Sequence, residues 1–253
     1  MSELVLITSG GTKEPVDKVR YIMNRSHGTF GSQIAWELLG ESSPNNPHYT
    51  SHRPDILFLT ADWAVTPFTV TGNRAKESVE VIEARMRRIF GFYNRVGHRY
   101  EEVVYKDFAD YARKLEEIIR TRKPNVTLLA AAVSDYLCAN YVDGKIRSGD
   151  DLTIALKHAP KLIGKVKEWC PETRLVGFKL LVDSEDSQLI DAANRSVEDN
   201  DCEFVVANDL RDILNNDHRL LICDRSGVQE HKINHDDWNY LGRVVAQRTL
   251  ELL

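Results

Sequence analysis

The sequence of 253 residues has few cysteines, no long apolar run and no excess of basic residues. Its four cysteines form no CxxC pair, which argues against a disulfide framework and favours free, mostly buried thiols. The 33 Lys and Arg against 38 Asp and Glu give a formal charge of −5, the wrong sign for general affinity to nucleic acid or anionic lipid.

No apolar run approaches the ~18 residues of a membrane span. Residues 1–7 also lack a basic leader. We therefore expect a cytoplasmic protein with neither a nucleic-acid nor a membrane partner.

Two groups of sequence motifs are also missing. The eight histidines show no HExxH or comparable spacing, so no zinc or catalytic histidine is assigned. Neither a P-loop GxxxxGK[ST] nor a clean GxGxxG is present, so any nucleotide site must be built from a less common pattern.

Short apolar runs bounded by turn residues indicate a regular fold. They predict buried strands at 3–8, 55–60, 101–105, 126–133, 174–178, 203–207 and 219–223. Helical spacing of apolar residues lies between some of them, at 107–122 with Asp107 as the N-cap, at 160–169 and at 187–199. This alternation predicts an α/β fold, a Rossmann-like mostly parallel sheet with helices on both faces and ligands at the carboxyl ends of its strands. We expect a single domain over 1–253, interrupted by a polar loop at 40–54 and a charged, partly helical stretch at 75–95.

The first strand runs into Gly10 and Gly11, and Ser26 and Gly28 precede the next helical pattern. Glycines at a strand end and a helix start let backbone N–H groups approach an anion, and the helix dipole adds attraction. This pattern favours phosphate binding. The alternative is that the glycines only permit tight turns.

Three further segments place selective residues just past predicted strands. Asp135 follows a run of small residues and suits a magnesium ion that carries polyphosphate, although an aspartate there is also a common helix cap. Lys145 and Arg147 stand between glycines, as a mobile flap over a phosphate or as an exposed turn. Phe178-Lys179 and Asn208-Asp209 offer selective groups, but turns and a helix cap explain them equally.

Taken in order, residues 10–28, 131–136, 145–146, 177–180 and 207–209 closely resemble the phosphopantothenoylcysteine synthetases. The resemblance covers 3–40 and 100–225, whereas about 40–99 matches poorly and is interpreted as an insertion. No flavin-dependent decarboxylase domain precedes the matching segments, so the resemblance is to the free-standing form, with the decarboxylase expected on a separate chain.

The resemblance implies a ligase that joins 4′-phosphopantothenate to L-cysteine in coenzyme A biosynthesis through an acyl-nucleotidylate. It implies CTP or ATP as co-substrate, Mg²⁺ as cofactor, and a homodimer with a small flap and dimerisation region. Residue by residue, it makes Asn24, Lys145 and Arg20 catalytic, with Asn24, Asn208 and Asp209 binding substrate and Asp135 binding the metal. The nucleotide-binding residues it implies are Gly10, Gly11, Ser26, Gly28, Ala131, Ala132, Asp135, Phe178 and Lys179.

Two departures leave parts of this interpretation open. Ile146-Arg147-Ser148 follows Lys145 where many relatives have further lysines, so Arg147 competes for the flap function. Phe178-Lys179-Leu180 differs from the bacterial fusion enzymes, which leaves the choice between CTP and ATP open. An NAD(P)-dependent short-chain-type oxidoreductase and a non-catalytic nucleotide-binding module remain as alternatives, since both use this fold.

Overall fold

The computed structural model describes residues 2–40, 53–70, 77–149, 151–215, 219–232 and 239–253. Most of the polar loop predicted at 40–54 lies outside these residues. The helices are α1 (Thr29–Leu39), α2 (Val79–Val96), α3 (Phe108–Arg122), α4 (Ile163–Trp169), α5 (Asp186–Asn200), α6 (Leu210–Leu214) and α7 (Tyr240–Leu250). The strands are β1 (Leu4–Ser9), β2 (Lys13–Pro15), β3 (Tyr21–Met23), β4 (Asp55–Ala61), β5 (Tyr100–Tyr105), β6 (Val126–Leu129), β7 (Tyr136–Cys138), β8 (Leu156–His158), β9 (Arg174–Leu181), β10 (Cys202–Asp209), β11 (Arg219–Asp224) and β12 (Gly227–Lys232).

Eight of these strands form one central sheet in the order β12-β11-β10-β9-β6-β1-β4-β5. The six from β10 to β5 are parallel, while β11 and β12 add an antiparallel edge. The chain leaves β1 towards β4 and β5 and then returns to β6 on the other side. Such a switch of direction opens a crevice at the carboxyl ends of the central strands. The predicted Rossmann-like α/β fold is confirmed.

Each face of the sheet packs on its own set of helices. Val5 and Ile7 point to α1, α2 and α7, whereas Leu6 between them points to α3, α4 and α5. The sequence of β1 is an uninterrupted apolar run because both faces of the strand are buried. The four cysteines are free and buried, as expected.

Most predicted element bounds agree closely with the structure, but the strand predicted at 174–178 extends to Leu181 and the helix predicted at 160–169 begins only at Ile163. Asp107 caps α3, with its Oδ1 accepting from the Asp110 N–H at 2.8 Å. The run predicted as a strand at 126–133 pairs only as far as Leu129. The four residues that follow leave the sheet because they form the loop that crosses to the end of β1, described below. The charged stretch at 75–95 contains all of α2 except its last residue, Val96.

Two small antiparallel ribbons, β2–β3 and β7–β8, lie outside the central sheet. They follow β1 and β6, the two strands that flank the switch point. Cys138 in β7 donates its backbone N–H to the Glu14 carboxylate in β2 at 3.3 Å, so the ribbons are in contact.

Two glycines in helices predict opposite responses to alanine. Alanine is favoured over glycine inside a helix by about 1 kcal/mol, so Gly91→Ala in α2 should raise the free energy of unfolding, since its Cβ meets only the Arg95 Nη1, at 3.7 Å. Gly242→Ala in α7 should lower it, because the added Cβ would lie 2.8 Å from the Gln33 Cβ of α1. Urea denaturation of the two variants checks this pair; stabilisation by both would contradict close packing of α7 on α1.

Candidate functional site

The chain turns sharply where β1 ends. Gly10 has a φ of 82°, in the left-handed region that side chains disfavour. A Cβ there would lie 2.8 Å from the Ala64 Cβ and 2.9 Å from the Ala61 Cβ. Glycine is required both by conformation and by the close approach of the loop after β4.

Helix α1 begins directly against this turn. Gly28, its N-cap, has a φ of 75°, and its carbonyl accepts a hydrogen bond from the Ser9 Oγ at 3.0 Å. Added Cβ atoms on Gly28 and Gly31 would each lie 2.7 Å from that Oγ. The first turn of α1 contains no acidic residue, so its N–H groups and the helix dipole favour an anion at this end. The sequence analysis did not assign Gly31 to the site, although Gly28 and Gly31 form a Gly-x-x-Gly motif in the sequence.

Hydrogen bonds join the loop after β6 to the loop after β1. Ala132 donates its N–H to the Gly10 carbonyl at 2.7 Å, and Thr12 donates its own to the Ala132 carbonyl at 3.2 Å. Ala131 donates to the Oγ1 of Thr8, which is fully buried, at 3.1 Å. These contacts place the predicted residues Gly10, Ala131 and Ala132 side by side.

Asn24 lies against the same turn. A Cβ on Gly11 would be 2.9 Å from the Asn24 carbonyl oxygen, and the Asn24 N–H donates to the Thr12 carbonyl at 3.4 Å. Ser26 donates its N–H to the Asn24 carbonyl at 2.9 Å. Asn24 is half-buried beside this turn.

Strand β9 contributes Phe178 and Lys179, both half-buried. The Phe178 ring meets the ring of Phe30, in the first turn of α1, edge-on at 6.0 Å. Asn208, on the neighbouring strand, is half-buried and pairs in register with Leu180. The first turn of α1 and the end of β9 therefore line one crevice.

Asp209, predicted to bind substrate, lies below the surface with 1% exposure. Its carboxylate accepts from Asp183 N at 3.1 Å, Ser184 N at 2.8 Å, Ser184 Oγ at 2.7 Å and Arg211 N at 2.8 Å. Burial by itself raises the pKa of Asp209, but these hydrogen bonds outweigh it and lower the pKa to about 2. The carboxylate caps α6 and holds the turn after β9, so the cap interpretation is confirmed, while substrate contact by Asp209 stays a prediction.

Asp135 follows the loop after β6 and is exposed. Its carboxylate forms an ion pair with Lys161, and both side chains are mostly in solvent. Because strand β7, not a helix, follows it, the interpretation of Asp135 as a helix cap is wrong. The described residues contain no group of three or more His, Cys, Asp and Glu side chains able to hold a metal.

The segment 141–149 carries Lys145 and Arg147, both exposed, and we call it the flap. It lies along the β2–β3 hairpin: Val142 N donates to the Val16 carbonyl at 3.1 Å, and Lys18 N donates to the Gly144 carbonyl at 2.9 Å. Arg20 reaches across from the hairpin, with its guanidinium 3.2 Å from the Ile146 carbonyl oxygen.

A cluster that sequence reasoning missed stands after β4. Lys13 pairs with Asp62 at 2.7 Å and lies 5.7 Å from the centre of the Trp63 ring, which in turn meets His27 edge-on at 5.9 Å. Dinucleotide-binding Rossmann domains use a free acid at the end of this strand for the ribose. Here Lys13 already pairs with that acid, which counts against the oxidoreductase alternative.

Tyr141 and Lys145 also form a Tyr-x-x-x-Lys string, the spacing that short-chain oxidoreductases carry on a helix. Residues 139–149 contain no helix. The string therefore does not place both side chains on one helical face, and it gives the oxidoreductase alternative no support.

The strand order around a switch point and the glycine-lined carboxyl edge define a Rossmann-type α/β domain with a crevice at the carboxyl ends of its strands. A family model described as the DNA/pantothenate metabolism flavoprotein C-terminal domain matches residues 1–42 and 109–252. The chain belongs to this family. No helix in the described part of the chain has the length and apolar character that crossing a membrane requires.

Individual relatives agree with this assignment. The phosphopantothenate–cysteine ligase of Mus musculus is 30% identical over 237 residues, 83% of this chain and 73% of that protein. The coenzyme A biosynthesis bifunctional protein CoaBC of Thermococcus kodakarensis is 28% identical over 221 residues, 87% of this chain. The chain spans only 45% of the length of that bifunctional relative. The crystal structure of the DNA/pantothenate metabolism flavoprotein from Streptococcus pneumoniae superposes with a TM-score of 0.71 at 25% identity, over 99% of this chain and 97% of that one.

The Asp209 carboxylate predicts a specific pH dependence of stability. Its pKa of about 2 in the folded protein lies below the ~3.9 of an unfolded aspartate. Its stabilisation is therefore complete above about pH 4 and is lost as the pH falls towards 2. Asp209→Asn should lower the free energy of unfolding at neutral pH, and the difference from wild type should shrink below about pH 4. Denaturation curves at several pH values check this, with the exposed Asp143→Asn as the control. A difference that is independent of pH would contradict it.

Proposed function

We propose that this protein is a phosphopantothenate–cysteine ligase of coenzyme A biosynthesis. The observation that carries the proposal is the meeting of Asn24, the glycine turn at Gly10 and Gly11, and the Ala131–Ala132 loop at one edge of the sheet. Relatives named as phosphopantothenate–cysteine ligases, which align with most of this chain, support it.

We propose a reaction in two steps. A carboxylate oxygen of 4′-phosphopantothenate attacks the α-phosphorus of CTP or ATP, and pyrophosphate leaves with the electrons of the broken P–O bond. The amine of cysteine then attacks the acyl carbon and loses a proton, the acyl C–O bond to the nucleotide breaks, and nucleoside monophosphate departs. A free carboxylate resists attack by an amine, and the mixed anhydride removes that obstacle by providing a leaving group.

The crevice residues divide this work. Backbone N–H groups at the turn after β1 and at the start of α1, around Gly10, Ser26 and Gly28, donate hydrogen bonds to the phosphate oxygens. The Asn24 amide, half-buried beside the turn, hydrogen-bonds the activated acyl group. Phe178 and Lys179 complete the nucleotide side of the crevice, since Phe178 already lies against the first turn of α1.

Asp135 suits a magnesium ion that arrives with the nucleotide. Mg²⁺ is typically held by one or two carboxylates together with phosphate oxygens and waters, so a single exposed carboxylate is a sufficient protein ligand. When bound, the ion offsets negative charge on the polyphosphate. Lys161, which pairs with Asp135, would then be released to face the same phosphates.

A direct assay tests the function. The protein is mixed with 4′-phosphopantothenate, cysteine, Mg²⁺ and either CTP or ATP, and both pyrophosphate and the product amide are measured. We expect stoichiometric formation of both products with at least one nucleotide and neither product when nucleotide or Mg²⁺ is omitted. Without cysteine we expect no amide and at most about one pyrophosphate per enzyme, because the first step does not need the amine. Nucleotide binding without any product would instead favour the non-catalytic module.

We also propose that the ligase is a homodimer formed through its ribbons. The β2–β3 and β7–β8 ribbons contact each other, and both expose apolar side chains, with Tyr21 52% exposed, Tyr136 48% and Leu156 47%. Clustered exposed apolar side chains of this kind are typical of interfaces. The resemblance to a dimeric family makes a second copy of this chain the expected partner.

Dimerisation through the ribbons can be tested with single substitutions that introduce a negative charge. Leu156→Asp should shift the protein from dimer to monomer in sedimentation velocity, because a carboxylate would be buried in an apolar interface. Val79→Asp is the matched control on α2, where valine is 67% exposed, and should leave the mass unchanged. A wild-type protein that sediments as a monomer at micromolar concentration would reject the proposal.

We expect the two cations of the flap, Lys145 and Arg147, to contribute differently to turnover. Lys145→Gln should cause a large fall in turnover with little change in nucleotide affinity, because an exposed cation on the flap reaches the phosphates only as the transition state forms. Arg147→Gln is the competing variant on the same flap. Single-turnover kinetics with isothermal titration check both. If Arg147→Gln loses turnover while Lys145→Gln retains it, the catalytic cation is Arg147.

A further inference from the structure

Asp17 is a buried carboxylate that the proposed chemistry does not use. It lies in the turn between β2 and β3 and is 2% exposed. An ionised carboxylate removed from water is costly unless hydrogen-bond donors replace the lost waters. Its environment must therefore supply several donors.

The two oxygens of Asp17 serve two different segments. Oδ1 accepts from the Val19 N–H at 2.7 Å and the Arg20 N–H at 2.6 Å, which closes the hairpin turn. Oδ2 accepts from the Arg20 Nη1 at 2.7 Å and from the Ile146 N–H of the flap at 3.0 Å. One carboxylate thus joins the hairpin, the Arg20 side chain and the flap.

This carboxylate is fully ionised at neutral pH. The Ile146 N–H has the largest influence on it and, with the Val19 and Arg20 donors, lowers the pKa of Asp17 to about 2 although burial acts in the opposite direction. Hydrogen bonds to an ionised acceptor are shorter and roughly twice as strong as neutral ones. The bond from Ile146 is therefore a strong attachment point for the flap.

The ion pair between hairpin and flap is a much weaker attachment. Lys18 and Asp143 pair at 2.6 Å, but their side chains are 60% and 77% exposed. Exposed ion pairs contribute little to stability because water screens them and two long side chains must be ordered. Among the described ion pairs and side-chain hydrogen bonds between hairpin and flap, the hydrogen bond from Ile146 to Asp17 is the one that has a buried acceptor.

The place of the attachment matters for catalysis. The Ile146 N–H belongs to the peptide group that begins with the Lys145 carbonyl, so fixing it restrains the backbone from which the Lys145 side chain extends. The same oxygen holds the Arg20 guanidinium. Misplacement of a catalytic group by ~1 Å can cost about 100-fold in rate.

We propose that Asp17 is a positioning residue that sets Lys145 and Arg20 for the ligase reaction without touching substrate. This inference rests on the proposed function, because it assigns a catalytic purpose to a contact between hairpin and flap. The competing interpretation is that Asp17 only stabilises the hairpin turn. The two differ in what happens to the flap and to turnover when the carboxylate becomes an amide.

Limited proteolysis reports on the flap without any assay of activity. Trypsin cuts after Lys145, at the peptide bond whose N–H donates to Asp17. Asp17→Asn keeps the size of the side chain but removes the charge, so cleavage at Lys145 should become about 3- to 10-fold faster. Asp143→Asn makes the same chemical change at the exposed pair and should leave the rate unchanged.

Kinetics with a double variant test the catalytic half of the proposal. Asp17→Asn should lower kcat about 10- to 100-fold with little change in the KM for nucleotide. In a Lys145→Gln background, Asp17→Asn should cause a clearly smaller further loss, because its effect on Lys145 is already absent. Asp143→Asn should retain wild-type kcat.

A second pair of variants keeps the test valid if Asp17→Asn unfolds the hairpin. Ile146→Pro removes the flap donor and leaves the Asp17 turn intact, so it should lower kcat by a similar factor. Ser148→Pro introduces the same rigid ring into the flap away from that donor and is its control. Circular dichroism and thermal melting confirm that each variant is folded.

The outcomes separate cleanly. Faster cleavage together with a loss of kcat that is not additive with Lys145→Gln supports the positioning function. Faster cleavage with wild-type kcat, an additive loss of kcat, or wild-type behaviour of Ile146→Pro each overturns it. A wild-type protein that makes no product with either nucleotide rejects the proposed function instead, and the proteolysis result then describes the flap alone.

Discussion

The close approach of α1 to the end of β1 is the contact on which the crevice depends. Three positions without a Cβ and one serine hydroxyl allow it: Gly10 turns the chain, and Gly28 and Gly31 admit the Ser9 Oγ. Any larger residue at these positions would push the helix away from the strand. The positive end of α1 would then no longer face the crevice, and Phe30 would lose its contact with Phe178.

The parallel part of the central sheet could be predicted because its signals are local, whereas the ribbon strands and the edge strand β12 are too short or too polar to form an apolar run and were not predicted. Each central strand is buried on both faces and appears as an apolar run, and each helix shows its stripe between such runs. The run at 126–133 misled the prediction because the small apolar residues of a crossing loop resemble a strand. Their hydrogen bonds go to the Gly10 carbonyl and to the Thr8 side chain rather than to the backbone of a neighbouring strand.

The parts of the site that a short sequence motif forms, such as the glycine turn, could be predicted. The parts formed by residues that are distant along the chain could not. Lys13 and Asp62 lie 49 positions apart and Asp17 and Ile146 lie 129 apart, so no spacing rule connects them. Asp209 shows a further limit. Its residue type fitted both a ligand contact and a cap, and only the donors around it show that the cap is formed.

The pairing of β1 with β6 has a consequence for how the protein is made. These strands lie side by side although more than a hundred residues separate them in the chain, and their loops complete one crevice. Contacts between residues so distant along a chain form slowly, because the chain must lose the entropy of closing a long loop before these contacts can stabilise it. A nascent chain on the ribosome therefore has its glycine turn long before it has a crevice. The crevice is complete only after β9 has been synthesised and Phe178 can reach Phe30.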